Sequence, residues 1–191
     1  MEPNLIDIPN EFYPYDSHEP FKECLVCNID LTLGVTDYFV EKAIKNNLEF
    51  KVKDVVFEYA MCSKCAQNMQ QSISIESQQS MQNYFASQAG FMSKIQAYQA
   101  GKGDSINELL SKCTITGKSI DEMPEYMIFG HFKGDKMIAS TMPYVVGNFV
   151  MDALSELLST ETLDEMNGFK DQYFGGPVEL EDLWKNKPVF L

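Results

Sequence analysis

Four of the five cysteines in this 191-residue chain stand in two Cys-x-x-Cys pairs, Cys24 with Cys27 and Cys62 with Cys65. Two thiolates three positions apart reach a single metal ion. Two such pairs complete a four-sulfur tetrahedron with no open position for a substrate. The spacing therefore predicts one structural zinc ion with Cys24, Cys27, Cys62 and Cys65 as its ligands. Cys113 has no pairing partner in the sequence and reads as a small buried apolar side chain.

No other set of residues has the types and spacing of a catalytic site. The two histidines are His18, among acidic residues, and His131, inside a strand-like run beside Phe132. The carboxylate pairs Asp121-Glu122 and Asp164-Glu165 are adjacent in sequence rather than facing, and turn or helix-start positions account for them. Gly117-Lys118-Ser119 matches the end of a phosphate-binding loop, but Lys112 stands where its opening glycine belongs. No catalytic and no nucleotide-binding residue is assigned.

The formal charge is -13, from 28 acidic and 15 basic residues, and every basic residue is lysine. Arginine supplies most bidentate contacts to phosphate and guanine, so its absence under a negative field argues against nucleic acid and against anionic membranes as partners. A protein partner fits this surface better. The N-terminus has neither the charge nor the apolar run of a secretory signal, and no later stretch is long and apolar enough to span a bilayer, so a cytoplasmic location is expected. In that reducing compartment, paired cysteines hold metal or do redox chemistry rather than form structural disulfides.

Positioning the cysteines requires a turn, two strands and a helix. Residues 1–23 contain six acids, one lysine and four prolines and suit an extended arm. After the Cys24–Cys27 turn, strand-like runs at 37–44 and 52–59 are joined by the turn signal Lys45-Asn46-Asn47, and the second run leads into Cys62. Helical spacing of Met81, Tyr84, Phe85, Met92, Ile95 and Tyr98 then predicts a long helix or helix pair over 63–100. Gly101-Lys102-Gly103 breaks it, and Ser105-Ile106-Asn107-Glu108 is a capping box. From Cys113 the chain reads as a degenerate repeat: a knuckle in which Thr116 replaces the second cysteine, a hairpin at 126–132 and 137–141 around Lys133-Gly134-Asp135, and a helix at 148–158. A last helix stops near Gly168, and Gly175-Gly176-Pro177 turns the chain toward Trp184.

A cysteine pair in a turn, a hairpin, and a second pair in the first turn of a helix resembles treble-clef zinc domains over about residues 24–80. The resemblance implies Cys24 and Cys27 as knuckle ligands and Cys62 and Cys65 as helix-end ligands. The run from Val55 through Cys62-Ser63-Lys64-Cys65 also resembles the active-site approach of thioredoxin-like proteins, which implies Cys62 as nucleophile, Cys65 as resolving thiol and Pro143 as the facing proline. Met61 and Ser63-Lys64 depart from that pattern, and it leaves Cys24 and Cys27 unexplained.

The expected architecture is α+β. Two small knuckle-hairpin-helix lobes, the first zinc-bound and the second a metal-free degenerate repeat, are bridged by a long helical stretch. The domains run 1–23 (arm), 24–100 (zinc lobe) and 101–191 (C-terminal lobe). The expected function is a non-enzymatic protein-protein interaction or accessory module. The alternatives are a dithiol oxidoreductase using Cys62 and Cys65, and an acidic inhibitor or immunity-type protein that masks a basic surface. Oligomeric state is not readable from the sequence.

Overall fold

The computed structural model describes residues 4–88 and 90–175. The Gly176-Pro177 step and Trp184 lie outside the described residues. Its strands are β1 (Leu5–Asp7), β2 (Asp37–Asn47), β3 (Val52–Cys62), β4 (Glu125–Lys133), β5 (Lys136–Ile138) and β6 (Tyr144–Gly147). All pair antiparallel in one sheet of order β1-β5-β4-β2-β3, with β6 also on β4. Six α-helices accompany it: α1 (Ser63–Ser72), α2 (Ile75–Ser87), α3 (Phe91–Gln99), α4 (Ile106–Leu110), α5 (Asn148–Ser155) and α6 (Thr160–Phe174).

The mixed α and β composition matches expectation, and the boundaries move for local physical reasons. The strand runs through Lys45-Asn46-Asn47 instead of turning there. Asn46 is tied to the second half of the chain, its amide nitrogen donating to the Pro124 carbonyl at 2.7 Å and its side chain to that of Ile120 at 3.1 Å. The reversal falls later, with Lys51 at φ 54°. The helical stretch 63–100 is three helices rather than one or two, with Ser74 capping α2 and Gly90, at φ 84°, preceding α3. The second-half hairpin turns at Gly134, φ 57°, as expected, but its return strand stops at Ile138. The four-residue β6 was not foreseen, being too short to show a period. The capping box at Ser105 and Glu108 is present, and α6 continues through Gly168 to Phe174.

Part of the N-terminal arm is regular, since β1 pairs Ile6 with Met137 on β5. Beyond it the arm lies across one face of the sheet. Phe12 is buried with its ring edge-on to Phe132 at 5.0 Å, and an added Cβ at Gly130 would collide with both rings. Lys42, buried in mid-sheet, donates to the Tyr13 carbonyl at 2.6 Å and pairs with Glu58 at 2.9 Å. Glu58 in turn accepts from the Tyr15 amide at 2.7 Å. On the other face, α6 sets Phe169 against Tyr59 and Phe174 against Phe57, with centroids 5.8 and 5.2 Å apart.

The strands of both halves share this one sheet, and its centre has internal two-fold character. The β2–β4 ladder runs from Asp37↔Lys133 to Lys45↔Glu125 and is centred on Glu41↔Phe129. Exchanging Asp37 with Glu125 and Lys133 with Lys45 maps the ladder onto itself. The flanking pairs match as well, with Tyr38↔Cys62 and Glu41↔Tyr59 in the first half against Tyr126↔Gly147 and Phe129↔Tyr144 in the second.

The same relation holds among the helices. Ser74-Ile75-Glu76-Ser77 opens α2, and Ser159-Thr160-Glu161-Thr162 opens α6. The Ser74 amide donates to the Thr162 hydroxyl at 3.0 Å, and reciprocally the Ser159 amide donates to the Ser77 hydroxyl at 2.9 Å. Each helix is thus capped by its own serine and braced by the other's first turn. Ser74→Ala and Ser159→Ala are each expected to cost about 1 kcal/mol. Because the hydroxyls share partners, the double variant should cost less than the sum by at least about 0.5 kcal/mol in urea unfolding.

Candidate metal centre

The backbone that carries Cys24 and Cys27 is a tight reversal closed by its own amides. The Cys24 amide donates to the Ile29 carbonyl at 3.0 Å and the Asn28 amide to the Cys24 carbonyl at 2.9 Å. Asn28 takes φ 57°, a left-handed conformation that asparagine tolerates better than most side chains. The knuckle is held to the sheet by the Leu25 amide, which donates to the Ala60 carbonyl of β3 at 2.9 Å. That bond brings Cys24 beside the end of β3, where Cys62 is the N-cap of α1 and Cys65 lies in its first turn.

The four cysteines meet there. Their sulfurs all lie within 4.8 Å of one another, with Cys27 Sγ 3.7 Å from Cys62 Sγ. A tetrahedron with metal-sulfur bonds of about 2.3 Å has sulfur-sulfur edges of about 3.8 Å, so the set is sized to hold a metal ion. Cys24 and Cys62 are buried, Cys65 is partly buried and Cys27 is exposed.

The backbone also prepares the thiols electrostatically. Burial alone would raise the pKa of Cys24, but its sulfur accepts from the Cys62 amide at 3.4 Å, and the amides of Cys27 and Val26 add to this. The result is a thiol lowered to about 7. Cys62 and Cys65 shift the other way, chiefly through desolvation. A dithiol nucleophile at Cys62 would need the opposite assignment. Instead, the thiol that the backbone amides lower is Cys24, in the pair that the thioredoxin-like resemblance leaves out.

The second half repeats this backbone with only one of the four sulfurs, that of Cys113. The Cys113 amide donates to the Lys118 carbonyl, the Gly117 amide to the Cys113 carbonyl, and the Thr114 amide to the Val145 carbonyl of β6, at 2.8, 2.8 and 2.9 Å. Gly117, at φ 72°, stands where Asn28 stands. Cys113 corresponds to Cys24 and is fully buried, while Thr116, Gly147 and Val150 occupy the positions of Cys27, Cys62 and Cys65. A Cβ on Gly147 would fall on the Met123 sulfur, so the buried Met123 side chain fills the space beside that strand end. Sequence reasoning found Cys113 and Thr116 but missed Gly147 and Met123. The matching helix starts at Ser74 and Ser159 were the signal that would have extended the alignment to them.

His131 does not join the metal cluster. Its ring stacks on Phe39 at 4.6 Å, Nδ1 lies 2.9 Å from the Thr141 hydroxyl and Nε2 3.5 Å from Asp37. Burial lowers its pKa against the pull of Asp37. Asp37 is equally close to Lys133, which ties the carboxylate into a surface charge pair. Among the described residues, no helix is long and apolar enough to cross a membrane.

Compared with protein-family models, curated proteins and solved structures, the chain matches none.

Because each pair supplies half of one shell, Cys24→Ser and Cys62→Ser are expected to destabilise the metal-loaded protein alike, each by at least about 3 kcal/mol. Thr116→Ser should stay within about 0.5 kcal/mol. Chemical denaturation with and without chelator checks both, since chelation should remove most of the difference between wild type and the cysteine variants. Acid should release the ion as the ligands protonate. The native metal-loaded chain should expose no thiol to reagent, Cys113 being buried, and all five should react once it is denatured with chelator.

Proposed function

We propose that this chain is a zinc-stabilised, non-enzymatic interaction module: a treble-clef-like unit in duplicate, in which one copy keeps its metal and the other has replaced it with packing. The observation that carries this reading is the pair of equivalent knuckles. In one, four sulfurs converge at the strand end. In the other, the same backbone bonds form around Gly147 and Met123. Metal and methionine then do the same job, which is to fasten a turn to the end of a strand and the start of a helix. An ion whose work a thioether side chain can take over is structural rather than reactive.

Zinc is the ion of choice for an all-thiolate tetrahedron that needs no redox step. The four cysteines would hold it, and it would supply cross-linking of the knuckle to α1. The partner is another protein. The charge of -13 and the absence of arginine support a surface that meets a basic or apolar protein face in a cytoplasmic setting.

The test has two parts. Metal analysis of protein purified without chelator should return one zinc per chain. Affinity capture with the metal-loaded protein should then recover a partner near stoichiometric level whose retention falls as salt rises. Capture that returns no such partner from the native lysate would overturn the interaction reading while leaving the zinc assignment intact.

A further inference from the structure

The two halves differ in how deeply their matching helices are buried. In the second half, the residues matching the buried face of α1 are closed off: Val150 is 2% exposed, Leu154 0% and Leu158 8%. There α3 follows α2, stacking Phe91 on Phe85 at 5.3 Å, and its Lys94 donates to the Thr114 carbonyl of the knuckle at 2.7 Å. In the first half the corresponding residues, Cys65, Met69 and Ile73, are only partly buried. They open into a groove of about 550 Å³ between α1 and α6, floored by Met61 and walled by Met166 and Phe169. Asp164 and Glu165 stand at it, both exposed, and among the described residues no lysine lines it.

We propose that this groove is the docking site of the module, and that its occupant is an amphipathic helix of a partner protein carrying apolar residues and a lysine. The proposal rests on the interaction reading and names the surface through which it acts. Two observations argue for this occupant. The first is internal: at the second knuckle Lys94 of α3, a helix that also stacks Phe91 on Phe85, caps the Thr114 carbonyl. The equivalent carbonyl in the first half is that of Leu25, next to Val26 on the groove wall. The second is charge. Among the described residues the lining is largely apolar, with two carboxylates and no cation, which favours a basic amphipathic helix and disfavours an acidic one. Residues 176–191 hold three acids against two lysines, so the chain's own end is the poorer match.

The groove is also rich in methionine, a side chain that repacks around different apolar surfaces at little cost. Its wall includes the metal ligand Cys65, so the shape of the site depends on the ion.

A peptide of residues 90–102, the α3 sequence, serves as the probe. It is titrated into full-length, metal-loaded protein labelled at the methionine methyl groups. Saturable shifts of the Met61, Met69 and Met166 methyls, with Met137 on the far face unmoved, are expected at peptide concentrations below about 1 mM. Binding should weaken with salt. It should also weaken at least about tenfold with Ile73→Glu, with the exposed pair Asp164→Lys and Glu165→Lys, and with Lys94→Glu in the peptide.

Absence of shifts at the highest peptide concentration would overturn the proposal. So would shifts that ignore both groove variants. Displacement of the probe by a peptide of residues 176–191 would assign the groove to the chain's own end, and a dimer that the probe dissociates would assign it to a second copy. Either result also overturns it. A captured partner indifferent to the groove variants would remove the groove and leave the interaction reading standing.

Discussion

Everything in this molecule is arranged about the pairing of β2 with β4. It joins the central strands of the two halves, and its register decides what meets at the middle: Glu41 opposite Phe129, flanked by Tyr59 and Tyr144. Glu41 is completely buried and accepts the Tyr59 hydroxyl at 2.7 Å, while Phe129 and Tyr144 stack at 4.6 Å. One side of the axis therefore holds a polar pair and the other an aromatic pair in the same geometric slot. A slip of one residue would put each of these side chains on the opposite face of the sheet, so register here is fixed by chemistry as well as by hydrogen bonds.

From that seam outward, the two halves solve one problem in two ways. A knuckle has few apolar atoms and cannot hold itself against a strand end by burial alone. The first half brings four sulfurs together, spaced to hold a metal ion. The second uses a buried methionine placed where a cysteine side chain would otherwise begin. A cluster that holds a metal can leave a ligand as exposed as Cys27, because coordination rather than packing would supply the energy. The packed version needs its contacts closed, and Met123 is 1% exposed.

The cysteine pairs were legible because ligand chemistry leaves little freedom in spacing, and the capping box because it is a local code of four residues. The hairpin turn at Gly134 was readable for the same reason. What could not be read was set by contacts distant in sequence. Asn46 and Asn47 look like a turn until Pro124 and Ile120 claim Asn46 for the strand. β6 has only four residues and owes its conformation to β4 beside it. The union of both halves in one sheet rests on pairings that no local pattern announces. His131 was placed correctly in a strand, but its neighbours Asp37 and Thr141 come from other segments of the chain.

The N-terminal arm has a consequence for the order in which the molecule is made. Beside the nearer Lys42 and Glu58, its anchors are β5, through Ile6 and Met137, and the ring of Phe132 against Phe12. Ile6 and Phe12 thus wait for partners more than a hundred positions later in the chain. Until β4 is made, Phe12 lacks the ring it packs on, and only the bonds to Lys42 and Glu58 tie the arm to the face of β2 and β3. The acids and prolines interspersed along residues 1–23 suit such an interval, since a charged, proline-broken segment resists pairing with other strands while it waits.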